Sequence, residues 1–140
     1  MIDCTKFQKS LKHLERQLEN YLRAKSRPEL TPLDREAIAE SVIQRFEVCY
    51  DTLWKDLKRY LIEELGLSEV PNSPKPILKL AGQNNLFVSS VEKWLEYANA
   101  RTATAHDYSE EKAAEALKVM NDFVADAVKL YETISGETWK

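Results

Sequence analysis

Only one short stretch of the chain combines side chains suited to a phosphate ester: Arg101-Thr102-Ala103-Thr104-Ala105-His106-Asp107-Tyr108. A guanidinium carries a planar fork of donors that matches phosphate oxygens. An imidazole, with an ordinary pKa of about 6.5, can take and give protons at neutral pH. Together they could hold an anionic group and move a proton beside it. A plainer reading stands beside this one, because an arginine and a histidine near a helix end often only satisfy carbonyls or a carboxylate. The other histidine, His13, flanks the Leu11–Leu14 stripe and reads as a surface residue.

Helical rhythm sets Arg101 apart. The seam Phe87, Val91, Trp94, Ala98 continues to Arg101 and Ala105, so a cation stands where the pattern asks for an apolar side chain. Such an arginine must find a partner, reach water or serve a site. Ala98 and Ala105 are small and would leave room around it for a ligand or another chain. His106 lies five residues on, which in one continuous helix is roughly 140° around the axis. Convergence of the two side chains within the chain therefore requires the helix to end near Thr104, with His106 on the turn into the next helix.

No other catalytic arrangement competes. A Gly-x-Ser-x-Gly elbow and a phosphate-cradling glycine loop are both missing. The acidic residues are spaced like solvated helix faces, so neither a metal nor a cofactor is expected. The chain carries no nucleotidyltransferase signature of its own. Cys4 and Cys49 form no Cys-x-x-Cys pair and read as two reduced cytosolic thiols.

These residues must be positioned by helices. Glycine is scarce, strand-like alternation is missing, and four of the five prolines fall between positions 32 and 76. A first helix is expected from about Thr5 to Lys25, with a stripe of Phe7, Leu11, Leu14, Leu18 and Leu22. A second opens at Thr31 and Pro32 and runs to Leu65, with Gly66 closing it. It bears Ile38, Val42, Cys49, Leu53 and Leu57, and beside them the aromatic row Phe46, Tyr50 and Trp54. Its two apolar faces fit an inner bundle helix or a dimer contact equally well. A Pro-rich connector over 70–76 leads to a short helix, Ile77–Ala81. A fourth helix spans about Phe87–Thr104. A fifth starts near Ser109, buries Leu117, Met120, Val124, Val128 and Tyr131, and ends before Gly136. The expected fold is all-α, an antiparallel up-and-down bundle of four long helices plus a short one, filling residues 1–140 as one domain.

Composition narrows the class further. Apolar residues make up 44% of the chain and charged residues 31%, which suits a soluble domain with its own core. Neither a membrane span nor a signal segment is visible, so a cytoplasmic location is expected. The net charge of −3 argues against a generally basic nucleic-acid binder. RNA contact would have to rest on a local patch, or on a cleft made with a partner chain.

The stretch resembles the HEPN signature. It is similar to the Arg-x4-His-x-Tyr form carried by HEPN partners of minimal nucleotidyltransferases, here Arg101, His106 and Tyr108. The surroundings agree: Ser73-Pro74 opens a short helix, Ala81-Gly82 closes it, and the Trp94-Leu95 helix leads into the motif. Thr102 stands where many relatives have Asn, and its hydroxyl remains a polar neighbour of the motif. The resemblance implies a helical bundle that forms homodimers, with Arg101 and His106 of two protomers lining a shared cleft. It implies a metal-independent endoribonuclease toxin, held in check by a minimal nucleotidyltransferase encoded nearby that adds AMP to Tyr108. It leaves open a second role, a non-catalytic subunit holding a nucleotide or other substrate for the nucleotidyltransferase, toward which Thr102 leans. A plain helical scaffold is the third.

Overall fold

The computed structural model describes residues 2–106 and 110–140. Among these, all regular structure is helical: α1 Thr5–Ala24, α2 Pro32–Glu63, α3 Pro74–Gln83, α4 Val91–His106, α5 Glu110–Lys118 and α6 Met120–Ser135.

The first two helices form an antiparallel hairpin. Arg35, at the start of α2, donates to the carbonyls of Ala24 and Arg27 at the end of α1. At the far end Arg59 donates to the Asp3 carbonyl. The α2 helix starts at a complete capping box: Thr31 Oγ1 accepts from the Asp34 N–H, and the Asp34 carboxylate accepts from the Thr31 N–H, both at 3.0 Å. Pro32 fits the first turn because the missing N–H has no partner to lose there. Helical structure ends at Glu63, two residues sooner than Gly66 suggests, although Gly66 does take the left-handed conformation at φ +65°.

Three other boundaries move for local reasons. The short helix is longer than expected because Pro74 opens it, and it runs through Gly82 to Gln83. A Cβ on Gly82 would meet the Val91 side chain at 3.3 Å, so this glycine serves the close approach of α3 to α4 rather than a stop. The α4 helix begins only at Val91, since the Ser90 hydroxyl accepts the Lys93 N–H at 3.2 Å and caps it. Phe87 precedes the helix and stacks on Trp94 at 4.4 Å between ring centroids.

The expected last helix is two helices. At Val119 the N–H bonds back to the Ala116 carbonyl, a tighter step than the α pattern, and α6 restarts at Met120. That break shifts the buried seam to Ala116, Met120, Phe123, Ala127, Leu130, Tyr131 and Ile134. Leu117, Val124 and Val128 are left half-buried at its edge. Leu22 is also displaced from the core, at 44% exposure.

The core is aromatic at its centre. Phe123 meets Phe46 edge-on at 4.9 Å and Tyr97 at 5.2 Å, joining α2, α4 and α6. The Tyr97 hydroxyl donates to Asp126, and the Ser89 hydroxyl donates to the same carboxylate at 2.6 Å. These bonds fix the rotation of α4 about its axis, and with it the direction in which Arg101 leaves the helix. The α3 helix lies against both α2 and α4.

Candidate functional site

Arg101 leaves α4 toward α2 and meets two carboxylates one helical turn apart. Its Nε–H and Nη2–H donate to the two oxygens of Asp51 at 3.3 and 3.1 Å, a side-on bidentate pair. Its Nη1–H donates to Glu47 Oε2 at 2.9 Å. The same Glu47 oxygen accepts from the hydroxyl of Thr104 at 3.0 Å. Thr104 is buried, and it also donates to the Arg101 carbonyl at 3.1 Å. Glu47 and Asp51 are four residues apart and so share one stripe of α2. The arginine that breaks the apolar rhythm of α4 is therefore answered by a matching acidic pair.

The two pairs differ in exposure. Side-chain exposure is 18% for Glu47 and 42% for Asp51, with 25% for Arg101. Glu47 is the inner, structural partner and Asp51 the outer one that water can reach. Ordinary salt-bridge arithmetic then makes the Asp51 contact the weaker and more exchangeable.

Beside this pair lies a cleft of about 550 Å³. Tyr50 and Asp51 of α2 form one wall, Ser73 to Pro76 at the start of α3 another, and Ala98, Arg101, Thr102 and Ala105 of α4 the third. The small residues Ala98 and Ala105 border it, as the sequence suggests they should. Lys75 adds a second cation to the rim. Tyr50 is buried behind the wall, and burial with the neighbouring Asp51 pushes its phenol well above the ordinary value, keeping it neutral. Thr102 is exposed and returns its hydroxyl to the Ala98 carbonyl at 3.1 Å, so it caps no site group.

One boundary here needs a correction. The α4 helix does not end near Thr104 but continues through His106, so the condition under which Arg101 and His106 could converge within one chain, a helix end near Thr104, is not met. The His106 side chain, and Tyr108 with the expected N-cap Ser109, lie outside the described residues. His13 is exposed, as expected.

Sequence reasoning missed Glu47, Asp51 and Thr104, assigning the carboxylates to solvated faces. One signal was available: the two acids flank the aromatic row at Phe46 and Tyr50, next to an inward-facing stripe. Among the described residues no group of His, Cys, Asp and Glu could hold a metal ion.

The chain matches, over residues 2–136, the family described as nucleotidyltransferase substrate binding protein like. It is 28% identical over 102 residues to a Haemophilus influenzae protein named probable ribonuclease HepT, covering 71% of this chain and 69% of that one. Haemophilus influenzae HI0074, whose structure is described as the fold of a substrate binding domain of a nucleotidyltransferase, aligns with a TM-score of 0.82 and 21% identity over 95% of this chain and 99% of that one. A Thermus thermophilus protein aligns with a TM-score of 0.61 and 27% identity over 88% and 96% of the two chains.

Proposed function

This chain belongs to the nucleotidyltransferase substrate-binding-like family, and from that premise we propose that it is the HEPN-type partner of a minimal nucleotidyltransferase, acting as a metal-independent endoribonuclease toxin. Arg101 and His106 are its catalytic residues. The observation that carries this reading is the Arg101 guanidinium held at the edge of a cleft of about 550 Å³ by one inner and one outer carboxylate.

The arrangement suits phosphate entry. A phosphate oxygen pair can replace Asp51 on the outer edge of the fork, while Glu47, anchored by Thr104, keeps the guanidinium aimed. In the reaction the 2′-OH attacks the adjacent phosphorus and the 5′-oxygen leaves. Arg101 stabilises the charge on the phosphorane, and His106 moves the proton between the two oxygens. Arg101 and His106 stand about 140° apart around one continuous helix. The arginine of one protomer therefore works with the histidine of its partner in a homodimer, and two-fold symmetry yields two such sites. AMP added to Tyr108 by the nucleotidyltransferase adds bulk and negative charge two residues from His106 and excludes RNA. No helix among the described residues is long and apolar enough to cross a membrane.

A second reading is favoured by the size of the cleft, which falls in the range of small-molecule sites. In it the same residues hold a nucleotide for the nucleotidyltransferase without cleaving anything. The test is incubation of the purified chain with RNA in excess chelator. Cleavage should persist with chelator and vanish in His106→Ala and Arg101→Ala. An inert wild-type chain that binds a nucleoside triphosphate in calorimetry would replace the first reading with the second.

A further inference from the structure

On the side of α2 next to the cleft, the surface carries a second concave feature. Lys6, Lys9 and His13 of α1 face Arg45, Val48 and Thr52 of α2 across a groove of about 300 Å³. Among the described residues no carboxylate lines it. Lys6, Lys9 and Arg45 are exposed and form no ion pair among the described residues. On a chain of net charge −3 this is a concentrated, unneutralised positive patch. Lys6, Lys9 and His13 follow one helix face at intervals of three and four, spanning about 10 Å along the axis.

The groove also leads somewhere. Lys6, Lys9, Val48 and Thr52 line the adjoining depression as well, where the cations Lys55 and Arg59 stand with the carboxylates Asp3, Asp56 and Asp51. Asp51 is the outer partner of Arg101 and part of the wall of the motif cleft. A chain of phosphates lying between α1 and α2 would therefore arrive at the exchangeable side of Arg101.

We infer that the α1–α2 groove is the track for the sugar-phosphate backbone of single-stranded RNA, guiding it to the Arg101 cleft. The inference rests on the ribonuclease reading for the identity of the strand. The lining favours nucleic acid over a protein partner, because Val48 is its one sizeable apolar side chain and no aromatic anchor is present. Its lining holds no Phe, Tyr or Trp, and His13 is the one ring on which a base could stack, so the track holds chiefly backbone and reads little sequence.

The test is fluorescence anisotropy of a labelled, non-cleavable 2′-O-methyl oligoribonucleotide across a salt series. Wild type is compared with the triple variant Lys6→Gln/Lys9→Gln/Arg45→Gln, whose positions are exposed and whose fold is checked by circular dichroism. Losing three phosphate contacts should make the slope of log affinity against log salt shallower by about 2, and weaken binding roughly tenfold or more at low salt. An unchanged slope and affinity would overturn the track even if the chain cleaves RNA. Unchanged RNA affinity with loss of the nucleotidyltransferase complex would overturn it in favour of protein docking. A wild-type chain that cleaves nothing, yet binds the oligonucleotide through these three residues, would support the track while removing the ribonuclease reading.

Discussion

At the scale of single residues, the site turns on how Arg101 is held. Periodicity along α4 revealed that an arginine stood on the seam and needed an answer. It could not reveal the answer, because Glu47 and Asp51 lie 54 and 50 residues upstream and meet it only when α2 and α4 pack. The two acids should behave differently. Glu47→Ala removes one buried charged acceptor shared by Arg101 and the Thr104 hydroxyl, and should cost about 1–3 kcal/mol in urea unfolding. Asp51→Ala breaks a more solvated pair and should cost less than about 1 kcal/mol. Activity should separate them further. Asp51→Asn removes the competitor for phosphate and should lower KM for RNA, whereas Glu47→Ala should lower kcat by misaiming the guanidinium. Equal losses of stability and activity in both variants would show that the inner and outer roles are not distinct.

At the scale of elements, most of the helices were legible. The α1 stripe, the Thr31-Pro32 start of α2 and the proline opening of α3 are local signals, written in neighbouring residues. The capping box predicts that Thr31→Ala costs about 1 kcal/mol in equilibrium unfolding, and no measurable loss would mean that α2 is held by packing alone. The break at Val119 was not legible, because no glycine or proline marks it and the tightened turn is chosen by packing of α5 and α6 on their neighbours. Its consequence was a shifted seam, with Phe123 rather than Val124 at the centre. The late end of α4 was missed for a related reason. Ser109 suggested a cap, but nothing in residues 101–106 stops a helix, and that length decides whether Arg101 and His106 can meet within one chain.

At the scale of the whole molecule, core burial gives a pH signature. Desolvation pushes the Cys49 thiol up to about 12 from 9.0, and Cys4, beside Asp56, likewise to about 12. The folded state thus keeps these protons when the unfolded state releases them. Their stabilising contribution is complete below about pH 9 and is lost as pH rises toward 12. The buried phenols of Tyr50 and Tyr97, raised for the same reason, add in the same direction. Urea midpoints should therefore fall steadily above about pH 9, and Cys49→Ala should make that fall shallower. Cys49 should react with thiol reagents only on unfolding. Labelling of the native chain at neutral pH would contradict the burial.

At the level of assembly, the proposed site pairs one subunit's arginine with the other subunit's histidine. It is tested most directly by mixing two inactive variants, Arg101→Ala and His106→Ala, refolding them together and assaying RNA cleavage in chelator. Half of the resulting dimers should be mixed, and each mixed dimer holds one intact site, so about a quarter of wild-type activity should return. A mixture as inactive as its components, while forming the mixed dimer, would contradict a site shared between subunits.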